Sequence, residues 1–316
     1  MNNFKKIGLT ALAASLVSTS VFAGALEVSG SASIKAAHTS TAAGANAGKA
    51  FSMGNSVTFT GGGELDNGMS VAVSFELDQG TPAGNGPFDS HSVTISSDAL
   101  GTLVFAGHGG DSAQSAVKDT TGKIWDYQGT SQKALASSSS DNMMLYTLPT
   151  LVDGVSITTS YTPKGAEATR FESAVDYAIA YTGYEGLAVG YAMGEDTDTK
   201  GEIADVETMY ANYTIGPVKL AYSVTERDEA TAANDRDHEA MSIAYTVSEN
   251  ISVSYGVSEQ ATPGTTSDSN EEVSGITASY TMGGMTISGA MIDIKNQGFV
   301  ANTKEEAWEL GLSFAF

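Results

Sequence analysis

The most regular feature of the sequence is an alternation of apolar and small polar residues in segments of about ten residues. In 69–78 the odd positions are Met, Val, Val, Phe and Leu, whereas the even positions are Ser, Ala, Ser, Glu and Asp. In 251–258 Ile, Val, Tyr and Val alternate in the same way with Ser and Gly. Because alternate side chains of a strand point to opposite faces, each segment is predicted to be a β-strand with one apolar and one polar face.

Segments of this kind predict sixteen β-strands, and most have the ~9–11 residues of a tilted strand that crosses a membrane. The alternation is least regular in the fourth and the tenth of them. The predicted strands are 25–37, 51–64, 68–79, 88–98, 100–107, 141–149, 153–162, 170–182, 186–194, 203–215, 216–226, 237–247, 250–259, 271–282, 284–293 and 304–316.

The connections between the predicted strands alternate between short turns and long loops. The short turns are 65–68, 97–101, 149–154, 182–186, 215–217, 247–250 and 281–284, and several contain the Asn-Gly, Gly-Gly or acidic-Gly pairs of tight hairpins. The long loops lie near 38–50, 80–87, 108–140, 163–169, 195–202, 227–236, 260–270 and 294–303. A sandwich with crossed connections has no reason to sort its loops by side, whereas an up-and-down barrel in an outer membrane does.

The polar face of the predicted strands is rich in Ser, Thr, Gly and Ala rather than in Lys, Arg and Glu. The exterior of a soluble protein needs charged residues, whereas small neutral residues suit the inside of a wide, water-filled cylinder. The apolar face would then contact lipid, with tyrosines near strand ends as in the aromatic girdles of membrane barrels. The sequence therefore predicts an all-β fold, a transmembrane 16-stranded antiparallel up-and-down β-barrel with short periplasmic turns and long external loops.

The last predicted strand ends in a regular alternation of large apolar and smaller residues. Its apolar face carries Trp308, Leu310, Leu312, Phe314 and Phe316, and the other face carries Glu, Gly, Ser and Ala. A barrel in lipid leaves no strand edge unpaired, so this strand is predicted to pair with the first one, 26–34.

The first 23 residues have the pattern of a secretory signal peptide. Lys5 and Lys6 precede the mostly apolar run 7–17, and Val-Phe-Ala at 21–23 offers a cleavage site. The apolar run is shorter than the ~20 residues of a membrane-spanning helix, which disfavours a permanent anchor. The predicted organisation is a signal peptide, 1–23, and one barrel domain, 24–316.

Charge and cysteine content narrow the choice of function. The chain has 37 acidic and 15 basic residues, a net charge of −22, which disfavours binding of nucleic acid and attracts cations. It has no cysteine although the signal peptide implies an oxidising compartment, so the fold depends on backbone pairing and packing rather than on disulfides.

Four stretches, taken together in their order and spacing, carry a resemblance to a known protein family. They are "LEVSGSASI" (26–34), "SVTFTGGGELDNGMSVAVSFELD" (56–78), "LGTLVFAGHG" (100–109) and "NMMLYTLPTLVDGVSITTSY" (142–161). They resemble the general, non-specific porins of Gram-negative bacteria, and in particular the alpha-proteobacterial type. The resemblance covers the whole chain after the predicted signal peptide. It implies a homotrimer of sixteen-stranded barrels, integral to the outer membrane, through which small hydrophilic solutes and ions diffuse passively.

The resemblance also implies an assembly signal at the last strand. Phe316, with Phe314 and Trp308 on the same face, resembles the signal that outer-membrane barrels present to the barrel-assembly machinery. That machinery is therefore an expected partner during biogenesis, besides the lipid bilayer.

In porins of this type the loop after the fifth strand folds inward and narrows the pore, which implies this role for 108–141. The family usually places an arginine cluster opposite the acids of this loop, but predicted strands two to four contain neither Arg nor Lys. Acidic side chains favour cations, so a mild cation preference is expected. The expected constriction residues are Asp111, Lys118, Asp119, Lys123 and Asp126 from the loop and Lys35 and Arg170 from the wall, with Lys219 as a further inward basic residue.

Catalytic chemistry finds little support in the sequence. Ser90 and Ser92 flank His91, but neighbours in a strand point to opposite faces, so a Ser/His hydrolase site is not expected. No cofactor is expected, with one exception. The segment 196–207 has Asp196, Asp198 and Glu207 at calcium-loop spacing, although its flanks are predicted strands and a solvated acidic hairpin accounts for it as well.

Two alternatives to a non-specific porin remain at this point. A substrate-selective outer-membrane channel would need a row of aromatic residues along the lumen, but the loop offers only Trp125 and Tyr127 and the sequence has no clear row. The other alternative, from a different class, is a barrel enzyme or an adhesin of the outer membrane.

Overall fold

Sixteen β-strands dominate the part of the chain that the structure describes. This computed structural model describes residues 26–40, 49–78, 88–117, 120–122, 124–138, 141–164, 172–197, 203–262 and 267–316. The strands are β1 Leu26–Thr39, β2 Lys49–Glu64, β3 Ser70–Asp78, β4 Ser90–Ser97, β5 Gly101–His108, β6 Met143–Thr147, β7 Val155–Thr162, β8 Ala174–Tyr181, β9 Leu187–Thr197, β10 Ile203–Ile215, β11 Val218–Asp228, β12 Arg236–Thr246, β13 Ile251–Gln260, β14 Glu271–Met282, β15 Met285–Lys295 and β16 Lys304–Ala315. The predicted signal peptide, 1–23, lies outside the described residues.

The strands form one closed antiparallel barrel in which each strand pairs with its neighbours in sequence and β16 pairs with β1. This confirms the predicted all-β, 16-stranded up-and-down barrel. Most strand bounds agree with the prediction within a few residues, but β2 begins at Lys49 rather than at residue 51. The prediction that strands two to four contain no basic residue is therefore wrong at the first residue of β2. No helix among the described residues is long and apolar enough to cross a membrane.

Tight turns join the strands at one end of the barrel because glycine occupies positions that other residues avoid. Gly101 and Gly186 have φ angles of 78° and 78°, in the left-handed region. A Cβ atom on either residue would also overlap a backbone carbonyl, that of Thr147 or of Thr214. The short connections thus take the hairpin form that their sequences predict.

The strand register separates the two faces of the wall. Inward-facing hydroxyls of neighbouring strands pair across the lumen surface, as in Ser252–Ser279 (2.7 Å) and Thr281–Thr286 (3.0 Å). Outward-facing apolar side chains are exposed on the other surface, for example Phe51 at 85% and Met291 at 73%. An apolar exterior around a hydroxyl-lined interior is the arrangement of a barrel that spans a membrane.

The barrel closes as the alternation of the last strand predicts. Ile34 pairs with Leu312 between β1 and β16. Beyond β16, the Gly30 N–H donates to the Phe316 carbonyl (2.8 Å), and the Phe316 N–H donates to the Gly30 carbonyl (3.0 Å). The ring of Phe316 lies over Gly30, where an added Cβ would be 2.7 Å from the ring. Trp308, Phe314 and Phe316 all have exposed side chains on the outer surface.

Carboxylates mark the long-loop end of the outer surface, but only on one half of the barrel. Carboxylates on a lipid-facing surface are destabilising within the hydrocarbon, so this band indicates where the membrane ends. In β12, for example, the outward apolar positions begin at Met241, just below Glu239. The outward-facing acids are Glu195, Asp205, Glu207, Glu226, Asp228, Asp237, Glu239, Glu259, Glu272, Asp293 and Glu306.

Candidate functional site

The connection between β5 and β6 comprises residues 109–142, and we call it the constriction loop; its described residues lie inside the barrel. Its described residues form hydrogen bonds with inward-facing side chains of β7, β8, β10 and β14, among others. The path follows the inner wall over more than half of the circumference. The described residues of this loop therefore line the inner face of the barrel wall.

An apolar contact seats the middle of the constriction loop on the wall. Ile124 and Trp125 are each only 5% exposed and lie against Ala240, Val273, Ala290, Ile292 and Ile294. An added Cβ at Gly256 would be 3.0 Å from Ile124, so the absence of a side chain there lets the loop approach. Burial of a large side chain such as Trp125 stabilises this arrangement by about 2–3 kcal/mol.

Glu271, the first residue of β14, ties the loop to the wall through its carboxylate. Its side chain is fully buried, and Oε1 accepts hydrogen bonds from the backbone N–H of Ser131 (2.7 Å) and of Gln132 (3.1 Å). Its other oxygen, Oε2, accepts from the N–H of Gly298 (2.8 Å). A buried carboxylate needs such donors, so this residue joins three segments that are far apart in sequence.

A second buried carboxylate, Asp176 of β8, holds both limbs of the loop. The Ser137 hydroxyl donates to Asp176 Oδ2 and lies 2.6 Å from the hydroxyl of Ser112 on the other limb. Gln114 continues this network: its side-chain amide donates to Thr208 Oγ1 (2.9 Å) and accepts from the Ser137 N–H (2.7 Å). The beginning and the end of the loop are thus fixed to each other as well as to the wall.

Asp196, a predicted calcium ligand, takes part in an ion pair instead. Its Oδ2 lies 2.7 Å from Nη1 of Arg227, and its Oδ1 accepts from the Ser138 hydroxyl (2.8 Å) of the constriction loop. Asp196 faces the lumen, whereas Glu207 faces outward, where it accepts a hydrogen bond from the Tyr191 hydroxyl. The two carboxylates therefore do not share one ion. Asp198 lies outside the described residues, among which no group of three metal-ligating side chains is present.

The constriction loop carries two exposed acids among its described residues. They are Asp111 and Asp126, and Asp111 accepts a hydrogen bond from the Ser115 hydroxyl (3.0 Å). Next to Asp126, burial and the carboxylates of Glu309 and Asp126 raise the pKa of Tyr127, so this phenol stays neutral. Lys118, Asp119 and Lys123 lie outside the described residues.

The wall that faces the loop carries one described base among many hydroxyls. Lys35 of β1 points inward, with its Nζ 3.3 Å from Glu309 Oε1, and that oxygen also accepts from the Gln128 N–H (2.7 Å) of the loop. Lys219 also faces inward, and Arg170 lies outside the described residues. The inward hydroxyls of β1–β5 are Ser29, Ser31, Ser33, Thr39, Ser52, Ser56, Thr58, Thr60, Ser70, Ser74, Ser90, Ser92, Thr94, Ser96 and Thr102.

Two inward arginines were not found from the sequence. Arg227 and Arg236 pair directly across β11 and β12, at the two ends of 227–236, which the sequence predicts to be a long loop. The sequence did contain an indication of the inward position of Arg227, because this residue has the same odd-numbered alternation in β11 as inward-facing Lys219 and Thr225. These two strands simply extend beyond their predicted ends.

Acids outnumber bases at the inward positions of the described strands. The inward bases are Lys35, Lys219, Arg227 and Arg236, and the inward acids are Glu27, Glu64, Glu76, Asp78, Asp176, Asp196, Glu271, Glu305 and Glu309. The lumen of the described barrel is thus net acidic before the loop residues are added.

The geometry around His91 gives no nucleophile–base pair. Ser90 and Ser92 face inward with their strand neighbours, whereas His91 pairs with Phe75 on the opposite face and packs against Phe88 at a ring distance of 6.4 Å. A serine hydrolase needs the hydroxyl within hydrogen-bond reach of the imidazole.

A closed barrel with an apolar exterior, a polar interior and a loop on its inner wall is the arrangement of the membrane channels called porins. The sequence agrees, since the model of the family described as Gram-negative porin matches residues 8–273. The chain belongs to this family. It is therefore an integral outer-membrane protein that forms a channel and is not an enzyme.

Solved structures of porins share the fold at low sequence identity. An anion-selective porin from Comamonas acidovorans is 13% identical, with a TM-score of 0.72 and coverage of 93% of this chain and 100% of that one. Salmonella typhi OmpF in complex with daunomycin is 14% identical, with a TM-score of 0.70 and coverage of 93% and 98%. A mutant of Rh. blastica porin is 16% identical, with a TM-score of 0.66 and coverage of 92% and 100%. Among curated protein sequences, none matches this chain.

Proposed function

We propose that this porin is a general diffusion channel for small hydrophilic solutes and ions, with a mild preference for cations. The excess of inward acids over inward bases in the described strands carries the proposal, and exposed Asp111 and Asp126 add to it at the constriction. Acidic side chains along a pore concentrate cations and repel anions. The preference is mild because salt in the wide, water-filled lumen screens charges beyond about 8–10 Å.

The residues of the wall opposite the loop argue for a weak electric field across the pore. The inward positions of β1–β5 present hydroxyls, and Lys35 is the one base among those that the structure describes. Its ammonium group is partly neutralised by Glu309 at 3.3 Å. Without a cluster of cations facing the acids of the loop, solutes are sorted by size and net charge rather than by their dipole.

The placement of aromatic residues favours a general channel over a substrate-selective one. Trp125 is buried against the wall, so its ring does not offer a stacking surface to solutes. Tyr210 is the one tyrosine at an inward position of the described strands, and none lies beside it on the same face. A row of exposed rings, which a sugar-selective lumen would need, is absent from these residues.

A homotrimer accounts for the difference between the two halves of the outer surface. The outward positions of β1, of β2 from Phe51 onward and of β3–β5 carry no charged residue along their full length. The outward positions of β9–β16 carry the band of carboxylates described above. We propose that β1–β5 meets neighbouring copies and that the acidic half meets lipid, because an apolar surface that extends beyond the membrane needs a protein partner.

The assembly signal remains part of the proposal. Phe316, with an exposed fraction of 73%, and the outward rings of Phe314 and Trp308 form an accessible aromatic face on the last strand. Such a face is suited to recognition by the barrel-assembly machinery. Substitution of Phe316 by alanine should lower the yield of assembled barrel, measured by its heat-modifiable mobility on gels.

Conductance across a planar bilayer tests the channel proposal. Refolded protein should give stepwise openings, and the zero-current potential in a KCl gradient should have the sign of a cation-preferring pore. Asp126→Asn should move this potential towards zero, whereas Asp293→Asn, on the outer surface, should leave it unchanged. Anion preference would overturn the electrostatic part of the proposal, and folded protein without conductance would overturn the channel itself.

A further inference from the structure

His238 of β12 occupies an unusual place beneath the constriction loop. Its side chain faces inward and is only 2% exposed. The ring of Trp125 packs against it in a T-shaped arrangement, with a distance of 5.2 Å between ring centroids and an interplanar angle of 79°. Its Nε2 atom is buried and has no hydrogen-bond partner among the described residues. A titratable ring is thus sealed between the wall and the residue that seats the loop.

The charged groups around His238 do not favour a proton on the ring. Arg236 lies two residues earlier on the same face, and Arg227 pairs with Arg236 from β11. On the other side, the neighbour in β13 is the neutral Gln260, which pairs in turn with Glu271 of β14. Glu271 is committed to backbone N–H groups of the loop and of Gly298, as described above. From the loop, the backbone of Lys133 is hydrogen-bonded to the side chain of Gln260, and Asp126, the residue after Trp125, is exposed.

His238 lies outside the hydrocarbon, since its neighbours Asp237 and Glu239 belong to the outward carboxylate band. Burial lowers the pKa of His238 to about 4. A protonated ring would gain a cation–π contact with Trp125, but loss of hydration in a site this enclosed has the larger effect. The neutral ring is therefore the form that fits beneath the loop.

Proton binding to His238 consequently opposes docking of the loop. With the loop docked, His238 binds a proton only near pH 4, whereas a histidine exposed by loop release would bind it near the ordinary value of about 6.5. Because the released state binds the proton more tightly, docking weakens as pH falls below about 6.5 and the loss is complete below about 4. The difference in pKa corresponds to a change of about 300-fold in the docking equilibrium constant.

We propose that His238 is a positioning residue that makes the place of the constriction loop depend on pH. The neutral ring supports Trp125 on the wall, and a proton on His238 releases the segment around Trp125. The wall blocks movement outward, so the released segment moves into the lumen and lowers the conductance. This inference rests on the proposed channel function. It adds to it an acid-sensitive pore size.

Single-channel conductance at fixed KCl concentration, measured from pH 7.5 to pH 3.5, tests the inference on the full-length refolded protein. The wild-type conductance should fall as the pH drops from about 6 to about 4. His238→Gln should remove this fall, and His38→Gln, on the outer surface beside Trp308, should retain it. Any smaller change that remains in His238→Gln belongs to other titratable groups of the pore. A wild-type profile without pH dependence, or an unchanged profile in His238→Gln, would overturn the inference.

A fluorescence measurement tests the same step without a change at His238. The chain has two tryptophans, so Trp308→Phe leaves Trp125 as the sole emitter. Its emission should shift to longer wavelength on acidification over the same pH range, because released Trp125 meets water. Constant emission in a folded, conducting Trp308→Phe variant would contradict loop release. Absence of conductance in the wild type at neutral pH would instead contradict the proposed function.

Discussion

Replacement of Glu271 by glutamine is the sharpest test of how the constriction loop is held. The wild-type carboxylate is fully buried and accepts three backbone N–H groups, those of Ser131, Gln132 and Gly298, at 2.7, 3.1 and 2.8 Å. Glutamine keeps the size of the side chain and one acceptor oxygen. Its amide group replaces the other oxygen with a donor, which then faces an N–H group.

The expected cost follows from these contacts. A hydrogen bond to a charged group contributes about 1.5–3 kcal/mol, and a buried donor that loses its acceptor costs about 1–3 kcal/mol. Loss of one acceptor in Glu271→Gln, with weakening of the others, should therefore destabilise the docked loop by about 3 kcal/mol. This corresponds to a change of about 150-fold in the docking equilibrium at 25 °C.

Single-channel recordings at neutral pH provide the assay. Glu271→Gln should close more often than the wild type and should show a lower mean conductance, because a released loop segment can move only into the lumen. Glu272→Gln is the matched control: Glu272 is the next residue, faces outward and pairs with Lys295 at 2.7 Å. Equal closing frequencies in Glu271→Gln and the wild type would refute the assignment of Glu271 as an anchor of the loop.

Three further substitutions probe selectivity, stability and assembly. Lys35→Ala should increase cation preference, seen as a larger zero-current potential in a KCl gradient, because it removes the described base of the facing wall. Gly194→Ala should destabilise the barrel by about 1–3 kcal/mol, measured by urea titration of the folded protein, because the added Cβ would overlap the buried carboxylate of Asp176. Gly289→Ala, whose nearest atom is 3.8 Å away, is its control. Phe51→Ala should lower the temperature at which trimers dissociate on gels, whereas Met291→Ala, on the acidic half, should not.

Each of these expectations has a clear contrary result. An unchanged or smaller potential in Lys35→Ala would mean that Lys35 does not set the charge of the narrow section. Equal urea midpoints for the two glycine variants would mean that the wall relaxes around an extra methyl group. Loss of trimer stability in Met291→Ala but not in Phe51→Ala would place the subunit contact on the other half of the barrel.

Local patterns in the sequence determined the barrel and its two faces. Alternation within a strand and glycine-rich chemistry within a turn act between near neighbours, so the strand number, the sorted loops and the closing pair of first and last strands could be predicted. The interior of hydroxyls followed from the same alternation. The ends of the strands were predicted less accurately, since β2 begins at Lys49 and β12 begins at Arg236. Strand pairing continues there into segments whose composition resembles that of a loop.

The course of the constriction loop was decided by tertiary structure. Val273, Ile292 and Ile294 are apolar residues at inward positions, where a water-filled lumen predicts polar ones. They are apolar because they pack against Trp125 of the loop. Asp196 and Glu207 looked like ligands of one ion by their spacing, but the hairpin register places them on opposite faces. Glu271 and His238 gain their roles only because the loop covers them. Such contacts join residues more than a hundred positions apart, and no local alternation in a sequence specifies which buried groups will meet.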